Sequence, residues 1–368
     1  MRFSSRFLSI FCLAVLFVSL LTACLPPALP PVLKIGMVAP FEGRYRSMGY
    51  DAIYAARLAV REINAAGGVN GWRLELVAYD DRGDAALAQT AARNLAVDAD
   101  VVAVIGHYRQ ESTAAAQPVY AEAALPLLAI NGWVTSTTAP VWSLAPSPAT
   151  FSDALLATVP ETATAAVWGE GVLAVSTYEA LAAGRDRIVS RGHAGLSLDE
   201  NGLQPAFVFS SLAPQVAGDA LAIWRDLGWQ GSLMGGPSLA TTEFADVAGE
   251  AAEGACFTTP YPFPQDLEAG EDWTAAYQAV GPHVPFPGPY ALPTYEAIYL
   301  LAAAVAEDST AHSAPTRAGI ALALSSPGRD GVLGPIRWDA EGFWATASLY
   351  TYCWEEGIPK LSVRISPD

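Results

Sequence analysis

Between residues 34 and 130, strand-like apolar runs alternate with helical ones, and this alternation constrains the fold more than any other feature. Lys34 to Pro40 reads as a buried strand. Residues 50–64 then place Ile53, Ala56, Val60 and Ile63 on one helical face. Gly67-Gly68 and Asn70-Gly71 stop that helix and turn the chain. Arg73 to Tyr79 alternates like a strand, and Asp84 stands at an N-cap before an alanine-rich helix over 85–97. Val101 to Ile105 is a β-branched run of the kind buried in parallel sheets, ended by Gly106. A helix over about 111–123 and a strand at Leu127 to Ile130 complete the series. The β-α-β-α-β-α-β order predicts an α/β fold, a parallel sheet with helices on both faces. Ligands bind such sheets beyond the carboxyl ends of the strands. The candidate loops are therefore 40–50, 80–84, 106–112 and 131–138.

The second half is less regular. Residues 152–158 and 172–183 read as helices around a short strand at 164–168, and Ala206 to Phe209 reads as another strand. Helices follow at about 214–227, 243–248 and 271–280, then a largely buried one at 292–306. Residues 335–354 read as a terminal hairpin. No internal repeat is visible in the sequence.

The chain's start fixes where it works. Arg2 and Arg6 precede an apolar stretch from Phe7 to Leu21, which ends in Leu21-Thr22-Ala23-Cys24. That is the layout of a secretory signal, over 1–23. Its Leu-x-Ala-Cys ending resembles a bacterial lipobox, in which Cys24 becomes lipid-modified and starts the mature protein. Buried acyl methylenes contribute about 0.8 kcal/mol each, so such a Cys24 holds a protein at a membrane without a transmembrane helix. The stretch is short for a span, which needs about 20 apolar residues. Residues 24–34, rich in proline, read as a tether.

The composition, 52% hydrophobic and 15% charged, is that of a globular chain. Loss of Arg2 and Arg6 with the signal takes the formal charge from −17 to −19. So acidic a surface excludes nucleic acid as a partner. Cys12 leaves with the signal and Cys24 carries the lipid, leaving Cys256 and Cys353 in strand-like runs. A disulfide and two buried thiols are equally compatible with them outside the cytoplasm.

No catalytic or metal-binding constellation stands out. Asp80-Asp81-Arg82-Gly83-Asp84 lacks the later glutamate and the spacing of a calcium loop. Strand-end polarity and an N-cap explain it better. His107, Glu111 and Ser112 are residue types from which hydrolases are built, but no G-x-S-x-G or oriented acid accompanies them. No phosphate-loop or dinucleotide spacing surrounds Gly43 and Gly49. The expectation is a non-enzyme with no catalytic residues, cofactor or metal.

Seven segments carry a family resemblance: IGMVAPFEG (35–43), AVREINAAGGVNGWRLELVAYDDRGD (59–84), VAVIGH (102–107), PVYAEAALPLLAI (118–130), GEAAEGACFTTPYP (249–262), GPYALPTYEAIYLL (288–301) and LGPIRWDAEG (333–342). The chain resembles the leucine/isoleucine/valine-binding type of periplasmic solute-binding protein, the receptor of an ABC importer. The resemblance covers most of 34–354 in the family's order. It implies a two-lobed type I periplasmic-binding-protein-like fold, each lobe a parallel sheet flanked by helices, joined by crossing hinge strands. Lobe 1 would be 35–145 and 262–346. Lobe 2, shortened, would be 146–261 and 347–368. An amino acid, amide or related small molecule would bind between the lobes by hinge closure. The implied partners are the ABC permease and ATPase subunits, with the membrane reached through the lipid on Cys24. The implied location is extracytoplasmic, lipid-anchored to a bacterial membrane. The alternative is a ligand sensor of the same fold coupled to a membrane regulator.

Aliphatic-amino-acid binders of this family hold the α-carboxylate with lobe 1 hydroxyls and backbone groups, and the ammonium with a lobe 2 carboxylate and tyrosines. The matching positions here depart from that pattern. Tyr108-Arg109-Gln110-Glu111 precedes Ser112-Thr113 where small hydroxyl residues are usual, and the next loop reads Asn131-Gly132-Trp133. Met48 stands for a tyrosine, Pro237 for the acidic residue, and Ser210-Ser211-Leu212 for glycines and a tyrosine. A Tyr-Gly-x-Gly stretch is compressed to Val167-Trp168-Gly169-Glu170-Gly171. The candidate ligand residues are Met48, Gln110, Glu111, Ser112, Asn131, Gly132, Trp133, Trp168, Leu212 and Pro237, with Glu111 or Glu170 as substitutes for the missing carboxylate. Trp133 and Trp168 either wall the site for a planar or apolar ligand or fill space left by shortened loops. With Pro237 in place of a carboxylate, leucine is expected to bind weakly.

Overall fold

A computed structural model describes residues 30–131, 133, 140–160, 162–169, 171–184, 188–192, 204–312, 314–325 and 330–367. The signal, Cys24, Gly132 and Glu170 lie outside the described residues.

The strands are β1 Val32–Ala39, β2 Arg73–Asp80, β3 Val101–Gly106, β4 Leu127–Ala129, β5 Val141–Ser143, β6 Ala165–Trp168, β7 Ile188–Gly192, β8 Phe207–Ser210, β9 Ser232–Gly235, β10 Cys256–Thr259, β11 Asp330–Gly331, β12 Gly334–Pro335, β13 Leu349–Glu355 and β14 Ile358–Ile365. The α-helices are α1 Arg46–Ala65, α2 Ala85–Val97, α3 Gln110–Glu122, α4 Pro148–Ala157, α5 Gly171–Gly184, α6 Pro214–Asp226, α7 Thr242–Ala248, α8 Gly270–Gln278, α9 Ala291–Ala311 and α10 Arg317–Leu324.

The first sheet is all parallel, in the order β2-β1-β3-β4-β5. β3 is buried along its whole length, as its β-branched run demands. α1 buries Ala52, Ile53, Ala56, Ala59 and Ile63, and α9 joins the same core through Ala297, Ile298, Leu301 and Val305. Asp84 caps α2 by accepting from the backbone N–H groups of Ala86 and Leu87. The rest of the acidic run is also locally engaged: Asp80 accepts from Phe41 and Arg82, and Asp81 from Gly83. No metal-holding cluster exists among the described residues.

The second sheet has the order β14-β13-β10-β9-β8-β6-β7. Its β6 to β10 strands are parallel, and the β13–β14 hairpin adds an antiparallel edge. If β6 to β10 are renumbered one to five, their order is 2-1-3-4-5, that of the first sheet. The fold therefore repeats where the sequence does not. The terminal hairpin spans 349–365, not 335–354, and turns at Glu356-Gly357. β14 escapes a sequence reading because it is an edge strand with mostly exposed side chains, so it lacks an apolar run.

Cys256 and Cys353 face each other across β10 and β13 and are joined by a disulfide. The chain passes between the sheets after Ser143, after Thr259 and before Leu349. Tyr261 anchors one crossing: its hydroxyl donates to the carbonyls of Ile130 and Leu144, the latter at 2.6 Å.

Candidate functional site

The loops after β1, β3 and β4 of one sheet face those after β8 and β9 of the other across a cavity of about 340 Å³. This is where the strand order predicts a ligand, since β1 and β3 flank the point at which connections diverge. Lobe 1 lines the cavity with Tyr45, Met48, Tyr108 to Glu111, Asn131, Trp133 and Tyr290. Lobe 2 contributes Leu173, Ser211 to Pro214, Val216 and Gly236 to Ser238. The lobes meet at its rim. The Ser47 hydroxyl donates to Glu243 Oε2 at 2.6 Å, and Gln215 Nε2 donates to the Arg44 carbonyl at 2.6 Å.

Tight backbone contacts position the lobe 1 loops. Gly106 ends β3 at φ +115°, and a Cβ there would lie 2.2 Å from the Val38 carbonyl oxygen. Only glycine lets β3 leave the sheet so close to β1 and deliver the following loop to the cleft. Beneath that loop His107 is fully buried, with Nδ1 2.7 Å from Asp81 Oδ2 and Nε2 3.1 Å from the Tyr120 hydroxyl. It does not line the cleft, so its pairing holds the loop rather than facing a ligand.

Helix α3 starts at the cleft with no side-chain cap on its free N–H groups. The preceding Arg109 lays its guanidinium 3.8 Å from the centre of the Tyr45 ring, and its Nη2 donates to Glu111 Oε2 at 2.9 Å. Arg109 Nε is buried without a partner.

Tyr290 closes the lobe 1 floor. Asp51 on α1 pins it by accepting from the backbone N–H groups of Tyr290, at 2.6 Å, and Gly288, at 2.7 Å. Burial pushes the Asp51 carboxyl up to about 7, against the downward pull of those donors. The Tyr290 ring meets Tyr108 edge-on at 5.8 Å, and Tyr108 is itself fixed by a 2.7 Å hydrogen bond between its hydroxyl and Thr294 Oγ1. The Tyr290 hydroxyl lies near the Asn131 amide but makes no hydrogen bond of good geometry. Burial, reinforced by Asp51, holds its pKa well above the usual value, so it stays a neutral donor.

The structure brings Met48, Gln110, Glu111, Asn131, Trp133, Leu212 and Pro237 to the cleft. Gln110 also spans toward lobe 2: a Cβ on Gly171 would lie 3.0 Å from its Oε1. Trp133 is buried, packs edge-on against Phe151 and donates from Nε1 to the Pro146 carbonyl. Ser112 is buried behind the helix start and lines no part of the cleft. Trp168 packs into the lobe 2 core, 5.0 Å from the Trp224 ring, and lines no part of the cleft. Sequence reasoning passed over Tyr45, Leu173 and Tyr290 as site residues, and met Ser211 only as a departure from the family pattern. Arg109 was visible only as a departure from the family pattern. A cation beside an uncapped helix start was the available signal.

A second, more apolar cavity of about 560 Å³ lies behind the first. Met48 and Tyr290 line both. Tyr50, Pro285 and Phe286 wall it from one side, and Trp354 and Ile358 from the other.

A profile of the periplasmic binding protein family matches residues 32–168 and 201–357. The chain belongs to that family, whose members bind solutes and are not enzymes. It is similar to the leucine-specific-binding protein of Salmonella typhimurium, 29% identical over 84% of this chain and 87% of the relative. In structure it is similar to the branched-chain amino acid transporter substrate-binding protein of Streptococcus pneumoniae, solved with isoleucine. That likeness has a TM-score of 0.77 at 21% identity and covers 91% and 99% of the two chains. It is also similar in structure to an ABC-transporter solute-binding protein of Rhodopseudomonas palustris BisB5, solved with 3,4-dihydroxybenzoic acid. There the TM-score is 0.76 at 18% identity, over 91% and 97%. The family places the protein outside the cytoplasm, and no helix among the described residues is long and apolar enough to cross a membrane.

Proposed function

We propose that this protein is the lipid-anchored receptor of an ABC importer, binding an amino acid, amide or related small molecule between its lobes by hinge closure. The observation that carries this reading is the cleft of about 340 Å³ lined from both lobes and bridged at its rim. A ligand touching both walls stabilises the closed form over the open one, and the membrane partner then reads the closed shape. Relatives named for leucine, and neighbours solved with isoleucine and with an aromatic acid, support a small organic solute. The partners are a permease and an ATPase. Cys24, ending Leu21-Thr22-Ala23-Cys24, carries the lipid and keeps the receptor near them at high local concentration.

A fluorescence screen of the ten tryptophans against amino acids, amides, urea and small aromatic acids tests the binding. Saturable quenching or enhancement without turnover is expected, and silence across a broad library would sink the reading. Metabolic labelling with a fatty acid tests the anchor: Cys24→Ser should lose the label and release the protein from the membrane fraction.

A further inference from the structure

We propose that the ligand of this cleft is a small carboxylate with an apolar body and no ammonium group, gripped by Arg109 and Tyr290 at the start of α3. The proposal rests on the solute-receptor reading above and narrows its ligand class.

Three donor sets converge on one end of the cleft. The free N–H groups of α3 present the positive end of a helix of 13 residues. The Arg109 guanidinium is held over the Tyr45 ring, 3.8 Å from its centre, with its Nε buried and unpartnered. The Tyr290 hydroxyl sits on a side chain only 1% exposed and lacks a well-formed hydrogen bond. Buried donors left unmatched are costly, and each is an expected partner of a ligand oxygen. A carboxylate satisfies them together, because guanidinium and phenol both donate and neither accepts from it.

The opposite requirement, a free carboxylate to pair with an ammonium, is not met among the described residues. Glu111 is the one carboxylate among the described lining residues. Its side chain is 60% exposed and already paired with Arg109. An ammonium approaching it would also approach the guanidinium, a like charge. Glu243 near the rim is engaged by Ser47. Lobe 2 presents Leu173, Leu212 and Pro237 beside the Ser211 and Ser238 hydroxyls, and none of these carries the negative charge that would pair with an ammonium. Burying an unpaired ammonium costs several kcal/mol. The α-amino group that suits the family's aliphatic-amino-acid binders is therefore a penalty here. Trp133 and Leu173 give the rest of the ligand an apolar wall.

Calorimetry on the mature protein, with compounds matched in body and differing at the charged end, decides this. The probes are 4-methyl-2-oxopentanoate, leucine and 4-methylpentanamide, and likewise phenylpyruvate and phenylalanine, benzoate and benzamide. At least one acid should bind about tenfold or more tighter than its matched amine or amide, the scale of one desolvated charge interaction. Arg109→Gln should cost that acid about tenfold or more, with Arg109→Lys recovering part of the loss. Equal or tighter binding of the amino acid or amide in every matched set overturns the proposal and leaves the receptor reading standing. Unchanged acid binding by a folded Arg109→Gln variant does the same. Silence from all the probes also overturns it, and the receptor reading then stands or falls on the broad screen.

Discussion

Asp51 shows how one buried side chain shapes the cleft from behind. Its carboxylate ties α1 to the Gly288–Tyr290 segment and so fixes the ring that floors the site. Burial raises its pKa from the ordinary 3.8 to about 7. The folded state therefore binds this proton more tightly than the unfolded chain does. The associated stability is whole below about pH 4 and is lost as the pH rises through about 7, on the order of a few kcal/mol in full. Asp51→Asn removes the titration, so its stability curve should be flatter than the wild type's between pH 4 and 7. Urea denaturation at several pH values checks this, and parallel slopes would assign the titration elsewhere. His107 makes a contrasting point. Its sequence position beside a candidate loop left it near the presumed cleft, yet the structure pairs it with Asp81 and Tyr120 away from the cleft lining.

At the scale of elements, the second sheet is held by a device the first lacks among the described residues. The disulfide links β10 to β13 across a separation of 97 residues. The same strand pair carries a buried hydrogen bond between the Thr258 and Thr351 hydroxyls, 3.0 Å apart. Neither cysteine lines the ligand cleft. Replacing both with serine should therefore cost about 2–4 kcal/mol in chemical denaturation and leave ligand affinity within about twofold, because the cleft walls stay intact. A large affinity loss with little loss of stability would show that the bond acts on the cleft instead.

At the scale of the molecule, two sheets of one strand order face each other with their loop ends inward, so ligand and closure are coupled. The rim bonds, Ser47 to Glu243 and Gln215 to Arg44, join the two lobes. Each is worth about 0.5–1.5 kcal/mol, so losing both should weaken ligand binding by roughly fivefold to 140-fold. The double variant Ser47→Ala, Gln215→Ala should also show a larger radius of gyration by small-angle scattering at subsaturating ligand. Unchanged affinity and dimensions would mean the rim bonds do not bias closure.

The order of strands and helices through the first half was legible because burial imposes local periods, and Val101 to Ile105 and the Asp84 cap carry theirs in a few consecutive residues. β5, with three residues, and β14, an exposed edge, carry no such period and were not legible. The family, too, could be read from segments spread along the chain. The site could be read in part. Loop positions follow from strand ends, which brought the loops of Met48, Asn131 and Trp133 into view, and the family pattern brought in Pro237. They could not reveal that Trp168 turns inward, or that Tyr290 arrives beside Arg109 from the far end of the chain. The sequence by itself determined the element types and their succession, since these depend on residues within a turn or a strand of one another. Tertiary structure alone decided the Cys256–Cys353 pairing, the repeat of strand order and the meeting of Arg109 with Tyr290. Those depend on register and crossing between segments whose separation in sequence carries no information about their distance in space.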